Sequence, residues 1–111
     1  MSLEQLNHQA LEINEKYKKL NHKRGQKQWG ILDYAMGLSG DIGDLNKTLM
    51  ALHNLRNGGT EEELRSELSH ELADCLWSIL LISNLANIDL EQTYIESMAK
   101  LNQKLDSSLE E

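Results

Sequence analysis

The sequence has no proline and no phenylalanine, and aromatic residues make up only 5% of it. Leu, Glu, Lys, Asn and Gln take their place, a palette that suits helices, because strands favour β-branched and aromatic side chains. An all-α fold is expected. Long hydrophobic runs are missing too. No stretch approaches the roughly 18 apolar residues of a membrane span, and the polar residues 1–10 lack the apolar centre of a secretion signal. The expectation is a soluble, cytoplasmic protein with no membrane partner. Basic excess is also absent: 11 Lys and Arg stand against 18 Asp and Glu, for a formal net charge of −7. Nucleic-acid backbones and anionic membranes need a basic surface, so neither is an expected partner, and an anionic ligand would require a mediating cation. Cys75 is the only cysteine. It has no intramolecular disulfide partner and, inside the apolar run 72–82, reads as a small buried hydrophobe.

At 111 residues the chain is long enough for one core. Residues 1–111 are therefore read as a single domain, with a core of about 29–105, an N-terminal helix within 1–22 and a polar tail over 106–111. The first helix, residues 3–21, carries Leu6, Ala10, Ile13, Tyr17 and Leu20 at helical spacing and is expected to pack as an outer or swapped arm. Residues 22–30, with Lys23, Arg24, Lys27 and two glycines, form a connecting loop. The second helix is predicted over 31–56, ended by Asn57, Gly58 and Gly59, which tolerate the left-handed conformation that closes helices. Thr60 with Glu63, and Asp89 with Gln92, are capping-box patterns that start a third helix reaching about Ala86 and a fourth reaching about Leu105. The short connections imply antiparallel neighbours in a four-helix bundle.

On a wheel of about 100° per residue, the apolar face of the second helix is Tyr34, Leu38, Leu45, Leu49 and Leu52. Asp41 and Asp44 fall inside that face. A carboxylate taken out of water costs several kcal/mol, so two together on a core face call for a compensating cation. The third helix places Glu67, Glu71 and Asp74 on one side and Leu64, Leu68, Leu72, Cys75, Leu76 and Ile79 on the other. The acidic side continues into Trp77, Leu81 and Leu85, so the acids are expected to point into protein or a cleft. Two helices packed about 8–10 Å apart, each with carboxylates three residues apart, converge four acids on an oxygen-loving ion. Magnesium suits such a set best, with no Cys or His cluster for zinc and no loop for a calcium cage. Glycines 37, 40 and 43 cost roughly 1 kcal/mol each in a helix interior and suggest the close approach of another backbone or a ligand.

Leu38-Ser39-Gly40-Asp41-Ile42-Gly43-Asp44-Leu45 and Glu71-Leu72-Ala73-Asp74-Cys75-Leu76-Trp77 resemble the paired ExxE and ExxD motifs of the MazG-like all-α nucleoside triphosphate pyrophosphohydrolases. Leu85-Ala86-Asn87-Ile88-Asp89-Leu90-Glu91 looks like that family's turn into its last helix, and the resemblance covers about residues 29–104. It implies a bundle completed as a homodimer or homotetramer. It also implies Asp41, Asp44, Glu71 and Asp74 as magnesium ligands, with manganese a possible substitute, and hydrolysis of a (deoxy)nucleoside triphosphate to monophosphate and pyrophosphate, a house-cleaning type of reaction. Lys100, Asn102 and Lys104 resemble the closing Lys-x-Asn-x-basic segment that contacts phosphates. Trp29 stands where related enzymes often carry a Trp and, with Lys27, would face the nucleotide, while Lys47, one turn past Asp44, would offset phosphate charge. Glu67 or Glu71 would take the proton from the attacking water, Glu67 being the favoured base or orienting group.

Both acids of the first motif are Asp where the family usually has Glu, and Gly40 stands where another acid is common. Asp is one methylene shorter, which draws an ion toward the second helix or leaves a water between ligand and ion. That departure supports an alternative, a catalytically impaired oligomerisation or nucleotide-binding module of the same fold. A third reading, a di-iron carboxylate bundle, is prompted by Glu67-x-x-His70.

Overall fold

Each helix begins where a side-chain oxygen accepts from a backbone N–H at the cap or in the first turn. In the computed structural model, which describes residues 1–54 and 57–111, the helices are α1 (Leu3–Lys23), α2 (Ile31–Leu52), α3 (Glu61–Leu85) and α4 (Leu90–Leu109). The fold is all-α, as expected. At α1 the Ser2 hydroxyl accepts from the Gln5 N–H at 3.2 Å, and the Gln5 side chain accepts from the Ser2 N–H at 2.7 Å, a reciprocal cap. Thr60 and Asp89 cap α3 and α4 by accepting from the Glu63 and Gln92 N–H groups at 3.2 and 3.1 Å. The return arm of the expected boxes is absent: Glu63 Oε1 accepts from the Thr60 hydroxyl, and the Gln92 amide donates to Glu96. Glycine at position 30 has no side chain to cap α2, and there the Asp33 carboxylate accepts from the Gly30 N–H at 2.9 Å.

Left-handed residues close α1, α2 and α3. Gly25 (φ 65°) closes α1, with Gln26 N–H donating to the Asn21 carbonyl at 2.8 Å. Asn87 (φ 57°) closes α3 in the same way, Ile88 N–H donating to the Ser83 carbonyl at 2.9 Å. The second helix ends earlier than the sequence suggests. Asn54 takes φ 61°, and its N–H donates to the Ala51 carbonyl at 3.0 Å, so an asparagine ahead of the glycine pair performs the closure and α2 stops at Leu52. The expected end at Arg56 falls outside the described residues. α4 continues past Leu105 to Leu109, because nothing between those positions breaks a helix.

α2 and α3 form the antiparallel hairpin at the centre, and α1 packs across α3. The main core lies where the three meet: Ala10, Tyr34, Leu80 and Leu81 are buried, with Leu3, Leu6, Leu11, Trp77, Ile82 and Leu90 packed against them. Two polar pairs tie α1 in. Asn7 and Asn84 join their amides at 3.1 Å, and the Tyr34 hydroxyl donates to the buried Asn14 carbonyl oxygen. Ile13, Tyr17 and Leu20, read as part of an apolar stripe, are partly exposed, and the buried side of α1 runs through Ala10 and Asn14. A second packing point closes the far end of the hairpin, where Ala51 and Leu64 meet over Gly58; a Cβ on Gly58 would lie 2.7 Å from the Ala51 Cβ.

α4 does not run back along α3. The chain bends by 106° between them, and no residue of α4 is buried. Tyr94, Ile95, Met98, Leu101 and Leu105 stay exposed along it. Leu72, Leu76 and Ile79 of α3 are also exposed, at 53%, 40% and 39%, because the acid-bearing side of α3 is the side turned toward α2. No single helix is long and apolar enough to cross a membrane.

Candidate metal centre

Halfway along the hairpin, α2 contributes Asp41 and Asp44 and α3 contributes Glu71. One carboxylate oxygen from each lies within 4.8 Å of the others. Two acids on a wheel face of α2 that should be apolar therefore meet an acid of α3 across the helix pair. Asp41 and Glu71 are half-buried and Asp44 is exposed, and of the three Asp41 also lines an open cleft. Burial holds the Asp41 carboxyl above the ordinary carboxylate range, with further upward pushes from Asp74 and Asp44 and an easing pull from His70. Glu71 is raised for the same reasons, burial first and then Asp44, Asp74 and Asp41. The buried Cys75 thiol is pushed up by burial and by the negative charge of Asp41, Glu71 and Asp74. Repulsion of this kind is what a divalent cation relieves. The donors are all carboxylate oxygens, which suits a hard ion.

Asp74, the fourth expected ligand, stands beside this trio rather than in it. Its Oδ2 is 3.3 Å from His70 Nε2 on the same helix. The partnership between positions 70 and 74 has ordinary i,i+4 spacing, whereas the Glu-x-x-His pattern pairs His70 with Glu67. The converging set contains no histidine, so a di-iron site of the Glu-x-x-His kind finds no support among the described residues. Glu67 is exposed and lines a cavity of about 210 Å³ with Lys47, Thr48, Asn57 and Gly58, one turn beyond Glu71.

On the other side of the acids the cleft widens to about 490 Å³ and is walled by Asp41, His70, Asp74, Trp29 and Trp77. It continues into a cage of about 340 Å³ lined by Tyr17, Asn21, Trp29, Tyr34 and Trp77. The ring centroids are 5.4 Å apart for Trp29 and Tyr34, 5.7 Å for Tyr34 and Trp77 and 5.9 Å for Tyr17 and Trp77, within the range of tilted and edge-on aromatic packing. Of the five aromatic residues in the chain, four are here. Trp29 is held by two local features. The Gln28 amide donates to the Lys18 carbonyl at 2.9 Å, fixing the connecting loop on α1, and the missing side chain of Gly37 makes room for the indole, since a Cβ there would lie 3.3 Å from Trp29 Cζ3. Gly40 and Gly43 have open space around them within the chain, so only Gly37 of the three meets a close neighbour, and that neighbour is a side chain.

Other expected site residues lie elsewhere. Lys27 pairs with Asp33 at 3.2 Å; a hydrogen bond from Gly30 and then this lysine hold the Asp33 carboxyl below its usual range. Lys100, Asn102 and Lys104 are exposed on α4. With a rise of about 1.5 Å per residue and the 106° bend, Lys100 sits roughly 20 Å from Glu71 of the same chain. Tyr17, Asn21 and Trp77 are lining residues that no motif marks, and His70 is marked only through Glu67-x-x-His70. The scarcity of aromatics was the one signal available for Tyr17 and Trp77, because a chain with so few seldom gathers them by chance.

The MazG nucleotide pyrophosphohydrolase domain model matches residues 41–107. No curated protein and no solved structure matches the chain.

Proposed function

Because the chain belongs to the MazG nucleotide pyrophosphohydrolase family, we propose that it hydrolyses a (deoxy)nucleoside triphosphate to the monophosphate and pyrophosphate with magnesium, or manganese in its place. The observation that carries this reading is the junction of two half-sites. A carboxylate trio whose oxygens lie within 4.8 Å of one another borders, through Asp41, a cleft that shares Tyr17, Trp29 and Trp77 with a cage of four aromatic walls. A polyphosphate needs the first and a nucleobase fits the second.

Asp41, Asp44 and Glu71 would hold the ion, with Asp74 joining them by turning from His70. When bound there, magnesium supplies positive charge to phosphate oxygens and lowers the pKa of a bound water. Glu67, exposed one turn beyond Glu71, takes the proton from the attacking water, and Lys47 beside it in the 210 Å³ cavity balances phosphate charge. Trp29 and Trp77 stack the base and exclude water from one face of the sugar.

Lys100, Asn102 and Lys104 serve the phosphates only from another copy of the chain, given the distance within one chain. A homodimer or homotetramer that buries the exposed apolar side of α4 supplies that arrangement. Canonical, deoxy and damaged triphosphates, offered with magnesium or manganese and scored for pyrophosphate, test the activity beside an Asp74→Asn control. Turnover of at least one nucleotide, lost in the control, is expected. No turnover on any nucleotide, or equal turnover by Asp74→Asn, would favour the impaired-module reading, which the short reach of Asp41 and Asp44 supports.

A further inference from the structure

We propose that Asn21 selects the nucleobase, its side-chain amide reading the polar edge of a base held against the aromatic walls of the cage formed by Tyr17, Trp29, Tyr34 and Trp77. The inference rests on the reading of this site as one for a nucleotide.

The polar inventory of the cage leads there. The Tyr34 hydroxyl is spent on Asn14. The hydroxyl of Tyr17, a residue 51% exposed, is open to solvent. Asn21 differs from both of these. Its backbone is fixed, because its carbonyl accepts from Gln26 N–H at 2.8 Å in the turn that Gly25 closes. Yet its side-chain amide has no partner among the described residues, while lining the cage. It is the only amide there, and an amide presents a donor and an acceptor side by side, the pattern that pairs with the edge of a base.

An amide reads both amino-bearing and oxo-bearing bases by turning over, so the sharpest probe is a change that removes only its donor. Asn21→Asp leaves two acceptors. It should favour a base carrying an amino group over the same ring carrying an oxo group. Both tryptophans of the chain line the cage, which makes intrinsic fluorescence a direct reporter of its occupancy.

The experiment titrates CMP, UMP, AMP, IMP and ribose 5-phosphate into the full-length protein and reads tryptophan quenching. In Asn21→Asp the CMP/UMP and AMP/IMP affinity ratios should rise roughly ten-fold or more, the scale of a lost or gained base-edge contact. In Asn21→Ala the spread among the nucleotides should narrow while ribose 5-phosphate binding stays unchanged. Unchanged ratios in Asn21→Asp would overturn the proposal, as would an equal loss for every ligand including ribose 5-phosphate. Absence of quenching by any nucleotide in the parent protein would overturn it as well. These readouts do not require turnover, so a parent protein that binds nucleotides selectively but hydrolyses none defeats the pyrophosphohydrolase reading and leaves this one standing. Asn21→Ser, which keeps a small polar side chain, replaces Asn21→Ala if that variant's helical signal is lost, with the same narrowing expected.

Discussion

Replacing Tyr34 with phenylalanine should weaken the fold by an amount that can be worked from one hydrogen bond. Tyr34 is 5% exposed and Asn14 3% exposed, and the Tyr34 hydroxyl donates to Asn14 Oδ1 across the junction of α1 and α2. Deleting the hydroxyl leaves that oxygen buried without its partner. The cost of such an orphan is about 1–3 kcal/mol. For a domain of this size about 1 kcal/mol corresponds to roughly 4 °C in Tm, so the variant should melt about 4–12 °C below the parent. Asn14→Leu orphans the hydroxyl instead and should cost a similar amount. The double variant removes both polar groups and fills the gap with apolar ones, so its loss should be clearly smaller than the sum. Thermal and urea melts of the four proteins, followed by the helical circular dichroism signal, check this. A Tyr34→Phe protein melting within about 1 °C of the parent, or strictly additive losses, would refute the account of this pair as a desolvated pin between α1 and α2.

Further outcomes follow from the same geometry. The folded-state pKa values of Asp41 and Glu71 are raised above the ordinary 3.8 and 4.5, so the folded chain binds protons more tightly than the unfolded one. Metal-free stability should therefore fall as pH rises from those ordinary values through the folded ones. Asp41→Asn should flatten that decline and melt higher than the parent at neutral pH without metal; a lower or steeper curve counts against the repulsion. Magnesium at a hundred times its Kd should stabilise the parent by about 2.7 kcal/mol, seen as a higher Tm, and Asp44→Asn should reduce the shift. Millimolar magnesium without any shift would leave the trio a mere surface cluster. Gly58→Ala drives a Cβ to 2.7 Å from that of Ala51 and should cost about 1–3 kcal/mol in a urea melt, whereas Gly43→Ala, with open space around it, should gain roughly 0.5–1 kcal/mol. Leu101→Glu, on the exposed side of α4, should lower the solution mass measured by light scattering if that side joins copies of the chain.

What the sequence reveals about the fold is mostly local chemistry. Thr60 and Asp89 announce the starts of α3 and α4 because their oxygens accept from backbone N–H groups three residues on. Helix ends are harder to read, since asparagine and glycine compete for the left-handed position and the neighbours decide; Asn54 wins over the glycine pair that follows it. The periodicity of α2 exposes Asp41 and Asp44 as intruders, and the structure brings both together with Glu71. Along α3 the acid-bearing side meets α2 and Leu72, Leu76 and Ile79 stay exposed, a choice that a helix apolar nearly all round does not announce by periodicity alone. Of the cage only Trp29 is legible, and that through the family resemblance. Its walls come from α1, the loop before α2, α2 itself and α3, and which residues meet there depends on contacts such as Asn14 with Tyr34, between positions 20 apart. Side-chain partnership across helices leaves no periodic trace in one sequence.

The layout of α2 also fixes the direction in which a substrate would lie under the proposed activity. Gly37 sits beneath Trp29, Asp41 and Asp44 supply carboxylates one and two turns on, and Lys47 lines the cavity it shares with Glu67. At about 1.5 Å per residue, Gly37 to Lys47 spans roughly 15 Å, on the scale of an extended nucleoside triphosphate. A base in the cage therefore places the sugar beside His70 and Asp74, the α-phosphate near Asp41 and the terminal phosphates toward Lys47. Charge varies along this line in the sense such a ligand needs, neutral and aromatic at one end, acidic for a cation in the middle, and with a lysine at the other. The consequence separates Lys47 from Asn21. Lys47→Ala should weaken triphosphates relative to monophosphates by the same factor whatever the base, and Asn21→Asp should change the ranking of bases by the same factor whatever the phosphate number. If the two variants instead alter both dependences together, the cage and the carboxylates do not hold opposite ends of one molecule.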